Sequence, residues 1–142
     1  MKFSILASAA ALVFLGSNAN AGEFSLQCYA SINDCATIAR DLVTTKFTTK
    51  YPSKRWDIVV IADFQRYSNG GGVGFAVAGV VPTGTGQAPV RRVSATIRID
   101  DTRKIDANGE TDLTVEVLRD AVTELMAACD RSSKCDIYTP FQ

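Results

Sequence analysis

Four cysteines, a row of carboxylates and a glycine-rich run are the residues of this 142-residue chain whose types and spacing could do chemistry. None of that chemistry uses histidine, because the chain has none. A Ser-His-Asp triad, a Cys-His pair, an imidazole base and a His metal ligand are therefore excluded. Cys28, Cys35, Cys129 and Cys135 form an even set, which in a small exported domain reads as two disulfides. Structural zinc pairs usually sit roughly two to four residues apart, whereas six residues separate the first pair here and five the second. There is no Cys-x-x-Cys redox motif. No metal and no cofactor are expected.

The other groups read as structure before chemistry. Glu116, Asp120 and Glu124 recur every four residues. Paired carboxylates can hydrolyse glycosides at separations of about 5–9.5 Å, but this row shares its helix flank with Arg119 and reads as a hydrated face. Aligning Gly109 with the sixth position of a calcium loop puts Lys104 first and Val115 twelfth, where carboxylates are required. That segment, Asp106-Ala107-Asn108-Gly109-Glu110, reads instead as a turn before a helix. The glycine-rich run Asn69 to Gly74 has no following Gly-Lys-Ser/Thr and leads into a strand, so it reads as a hairpin turn and not a phosphate loop. Lys46, Lys50, Lys54 and Arg55 are a small basic group without an aromatic ladder, so nucleic-acid binding is not expected. The dibasic pair Lys54-Arg55 is a candidate processing site that abuts a strand and should be shielded by folding. No Asn-x-Ser/Thr sequon occurs.

The elements that must position these residues follow from periodicity. Phe24 to Tyr29 alternates as a short strand. Ser31 or Asn33 can cap a helix with the apolar stripe Cys35, Ile38, Ala39, Leu42, Val43 and Phe47, ended by Tyr51-Pro52. Trp56 to Phe64 is apolar on both faces and reads as a central strand, and Val73 to Val81 as the next. In the strand after the Gly/Thr loop, Val93, Ala95, Ile97 and Ile99 are expected inward, with Arg92, Ser94, Thr96 and Arg98 outward. Thr114 is expected to cap a second helix with core positions Val115, Leu118, Val122, Leu125 and Cys129. Cys135 to Thr139 is expected to add a last strand. The order β-α-β-β-β-α-β predicts an α+β two-layer sandwich, two helices on a mainly antiparallel sheet of four to five strands.

Strand direction decides which sulfurs can meet. With three passes between the helices, the second helix ends at the pole opposite Cys28 and Cys35, and only local bridges form. If Asp100 to Asp112 runs back as a fourth pass, all four cysteines share one pole. The fourth pass is the expectation, pairing Cys28 and Cys35 with Cys129 and Cys135.

Residues 1–21 read as a signal peptide: Lys2, an apolar run from Phe3 to Leu15, then Ala19-Asn20-Ala21 as the cleavage site. The run is too short to span a bilayer, so no stable membrane anchor is expected. Gly22 to Gln142 is then a single secreted domain of 121 residues. Losing Lys2 leaves 14 basic against 15 acidic residues, a formal charge of −1, and no field that recruits nucleic acid.

The leader, the mature length, the few cysteines and the element order resemble small secreted fungal effectors. Within that class the layout is similar to the killer-toxin-like α/β sandwiches related to the smut-fungus viral toxins, a ferredoxin-like order of elements. The resemblance spans the chain, which has fewer cysteines than those toxins. It implies a non-enzymatic, extracellular virulence-type effector, monomeric or weakly oligomeric, that binds a host or microbial protein through exposed loops and strand faces. Arg92, Arg98, Tyr67 and Asn69 are the candidate contact residues. The alternatives are a membrane-active toxin and a small hydrolase using carboxylates.

Overall fold

The computed structural model describes residues 23–86, 88–89, 93–101 and 104–131. Arg92, Cys135 and the expected last strand Cys135 to Thr139 lie outside the described residues. The elements are β1 (Ser25–Ala30), α1 (Cys35–Arg40), α2 (Thr45–Lys50), β2 (Trp56–Arg66), β3 (Gly72–Pro82), β4 (Val93–Asp100) and α3 (Ala107–Arg131). The sheet order is β1-β2-β3-β4. β1 runs parallel to β2, and the other two pairings are antiparallel. The fold is thus α+β with a mixed sheet, because the helical crossover between β1 and β2 returns the chain to its starting end.

The expected first helix is two helices. Thr44 is extended and its side-chain oxygen accepts from the Phe47 backbone N–H at 3.2 Å, which starts α2 afresh. The apolar stripe nevertheless survives the break. Cys35, Ala39, Val43 and Phe47 are all buried, and Ile38 and Leu42 pack at the core's edge. Phe47 stacks on Tyr51, whose ring meets Trp56 edge-on.

The start of α3 is also displaced from expectation. Asp106, not Thr114, is its cap: the carboxylate accepts from the Gly109 N–H at 2.8 Å. Asn108 and Gly109 therefore belong to the first helical turn, and Thr114 lies inside the helix, donating to the Glu110 carbonyl at 2.8 Å. The apolar side of α3, with Leu118, Val122, Leu125 and Cys129 as expected and Val117 and Ala121 besides, packs on Ile58, Val60, Ala62, Ala76, Ala78 and Val80. Gly74 permits the approach, since a Cβ there would meet Leu113 Cγ at 2.9 Å. At its far end Lys46 donates to the Asp130 carbonyl at 2.9 Å and Lys50 to that of Cys129. Two cations thus meet the negative end of the α3 dipole.

Two expectations are overturned here. β4 ends at Asp100 and α3 begins at Ala107, so among the described residues only three strands separate the helical segments. α3 therefore ends beside α2, away from the start of α1, and the cross-pole pairing does not form. The bridge is local, Cys28–Cys35, with Cα atoms 6.1 Å apart. Cys129 is not a free thiol either.

The second correction is the facing of β4. Ala76 and Ala78 point into the core and pair with Thr96 and Ser94, so the even-numbered residues of β4 lie under α3. Ser94 is buried and donates its hydroxyl to the Ala121 carbonyl. Ala95, Ile97 and Ile99 face outward. The alternation was correct and its sense reversed, because the acidic flank of α3 takes the polar row of the strand.

Candidate binding surface

Both helical segments lie on one side of the sheet, leaving the other open. Parity places Tyr29, Ile61, Val73, Phe75, Val77, Ala95, Ile97 and Ile99 on that open face, and the register joins them. Tyr29 lies beside Ile61, Ile61 beside Val77 and Val77 beside Ala95, while Phe75 pairs with Ile97 and Val73 with Ile99. Ile97 is 68% exposed, Ile99 64% and Tyr29 58%. Isolated exposed apolar residues are ordinary, but a contiguous sheet of them marks an interaction surface.

The opposite end of this face is closed. Asp57, 2% exposed, accepts from Gln27 Nε2 at 2.8 Å, from Thr83 Oγ1 at 3.2 Å and from the Gly84 N–H at 3.5 Å. Val59 and Val81 are buried beside it. The Asp57 carboxylate thereby fastens the connection leaving β3 to the start of β2. Thr83 N–H also donates to the Arg55 carbonyl at 3.0 Å, which holds the peptide bond after the Lys54-Arg55 pair in place although both side chains are exposed.

Of the four contact residues expected from sequence, three are described, and they do not form one patch. Arg98 lies on the helix side. It reaches Asp120 at 2.6 Å and Glu116 at 2.5 Å, and the Asp120 hydrogen bond raises its pKa, with the charges of Asp120 and Glu116 adding to that effect. Its outward orientation is therefore corrected: the acidic row on α3 is the ion-pair partner of β4. Tyr67 and Asn69 are in the β2–β3 turn. There Asn69 Oδ1 accepts from the Gly71 N–H at 3.0 Å, and the Gly70 N–H donates to the Tyr67 carbonyl at 3.0 Å. Gly70 has φ of +91°, which glycine adopts without strain. These amides are spent on the turn itself.

Sequence reasoning missed the open face and a cleft at the carboxyl ends of β1 and β2. The cleft, about 230 Å³, lies between Ser31 to Asp34 on one wall and Thr111 and Val115 of α3 on the other. A smaller hollow of about 140 Å³ adjoins it at Asp63, Phe64 and Glu110, and Arg66 holds Glu110 there as an ion pair. The signal for the open face was present in the alternation of β4, read with its faces exchanged. The cleft had no local signal, because its walls are over seventy residues apart in the chain.

Among the described residues no cluster of three or more His, Cys, Asp or Glu side chains could hold a metal ion, and no helix is long and apolar enough to cross a membrane. No known protein family, curated protein or solved structure matches this chain.

Proposed function

We propose that the chain is an exported, disulfide-braced effector that works without catalysis by binding a host or microbial protein through the open face of its sheet. The observation that carries this reading is the contiguous exposed apolar surface around Ile97, Ile99 and Tyr29. A surface of that kind is stable in water only at a free-energy cost, which a partner removes by burying it. The engagement of Glu116 and Asp120 by Arg98 supports binding over carboxylate hydrolysis, since it takes up two of the three carboxylates in the row that paired-carboxylate chemistry would draw on. The Cys28–Cys35 bridge supports an oxidising compartment. With Cys28 and Cys35 joined to each other and Cys129 oxidised, a second bridge from Cys129 to Cys135 completes the set in this reading.

The test is capture of partners from host extract by immobilised protein, repeated with Tyr29→Lys/Ile99→Lys. Both side chains are mostly in water, so the thermal midpoint should hold while capture is lost. A double variant that captures the same protein as well as the parent would remove the open face from the account.

A further inference from the structure

Among the described residues, the open face runs out to an unpaired edge. β4 ends the sheet, and among the described residues nothing pairs with its outer side. Natural edge strands are usually blunted by a bulge, a proline or an exposed charge. β4 has neither a bulge nor a proline, and its exposed charge is drawn onto its own helix. Its register with β3 is one-to-one from Val93 to Asp100, it contains no proline, and its cation Arg98 turns toward α3 and is held there.

Three residues along this edge lack partners. Ile97 is the most exposed large apolar side chain among the described residues. Thr96 Oγ1 is shut off from solvent and has no hydrogen-bond partner. Glu124 is exposed one helical turn beyond Asp120 and, among the described residues, pairs with no cation.

We propose that a second copy of this chain occupies the edge. Two β4 strands pair antiparallel about a twofold axis through Thr96, making one continuous sheet of eight strands. With the axis perpendicular to the sheet, opposed residues must lie on the same face, so the axis passes through a residue. An axis at Arg98 opposes two guanidinium groups, which like-charge repulsion disfavours. An axis at Thr96 opposes the two threonines, a pairing that forms cross-strand hydrogen bonds, after rotation about χ1 turns each hydroxyl to its mate. It sets Ala95 against the second copy's Ile97. It also sets Ser94 against the second copy's Arg98. Ser94 is bonded to the Ala121 carbonyl, so that Arg98, still held by its own Glu116 and Asp120, brings its positive charge to within one turn of Glu124. The inference goes beyond the binding reading: edge pairing leaves both open faces on the same side and doubles them.

Sedimentation velocity on the purified oxidised protein, with no other macromolecule present, tests it. The expected result is a dimer that dissociates on dilution and is lost in Ile97→Lys, whose circular dichroism stays that of the parent. Thr96→Cys should give a covalent dimer on oxidation. Opposed Cα atoms lie about 4.5–5.5 Å apart, within the roughly 4.4–6.8 Å of a disulfide. Ile97→Cys should not, since its symmetry mate is a diagonal neighbour at about 7–8 Å. A monomer at every concentration overturns the proposal, even if that monomer still captures a host protein. So does a dimer that survives Ile97→Lys, or a covalent dimer from Ile97→Cys but not Thr96→Cys.

Discussion

Asp57 and Arg98 show how the same charge logic serves two ends of the molecule. Asp57 is buried and tied to Gln27, Thr83 and Gly84, so removing the carboxylate strands the Gln27 and Gly84 donors, while the Thr83 hydroxyl keeps the Ser53 carbonyl. Asp57→Ala should cost about 1–3 kcal/mol in urea unfolding, with the m-value preserved. An unchanged midpoint would mean that water replaces the carboxylate freely. Arg98 is an exposed pair of contacts to Glu116 and Asp120, so its contribution should shrink in high salt. Its pKa is raised by Asp120. A raised folded value gives stability that is present below the ordinary value and lost only as pH rises through the shifted one, so this contact persists across the neutral range. The residue scale is where sequence reading was least secure. Arg98 was identified as conspicuous, but whether a strand side chain points to helix or solvent depends on a register set by Ala76 and Ala78 in a different strand.

Helix α3 carries most of the helical core, and its two ends are fixed by different chemistry. Asp106 satisfies an orphan N–H at the start, and Lys46 and Lys50 satisfy carbonyls at the end. Asp106→Ala should lower stability by about 1 kcal/mol and increase hydrogen exchange in the first turn while leaving the centre protected. Uniform loss of protection would contradict a capping role. Periodicity made the stripes of both helical segments legible, down to Ala39, Phe47, Leu118 and Leu125. Their boundaries were less so. Asn108-Gly109 has turn chemistry, yet the Asp106 cap draws it into a helix. Thr44 looked like a mid-helix residue, yet it caps α2.

For the molecule as a whole, one uncertain pass decided the topology. Counting Asp100 to Asp112 as a strand brings the sulfurs together; starting α3 at Ala107, directly after three strands, sends it to the other pole and leaves Cys28–Cys35 as a local bridge. The class, a two-layer α+β body, was readable because the apolar stripes require it; which side of the sheet stays open was not. The pole was not, because it rests on whether a polar segment pairs. A bridge spanning seven positions closes a short loop. Cys28→Ser with Cys35→Ser should therefore cost about 2–3 kcal/mol in the chain-entropy account, leaving a folded protein with a lower thermal midpoint. Complete unfolding would show that this bridge does more than brace the β1–α1 corner.

The central claim is that the open sheet face makes the functional contact. Hydroxyl-radical footprinting of the chain alone and in complex with its captured partner tests that claim most directly, because it reports the solvent access of individual side chains. The account predicts that Tyr29, Ile99 and Phe75 lose reactivity in the complex while Ile32 and Ile38 at the cleft keep theirs. Protection at Ile32 and Ile38, with Tyr29 and Ile99 as reactive as in the free protein, would contradict it.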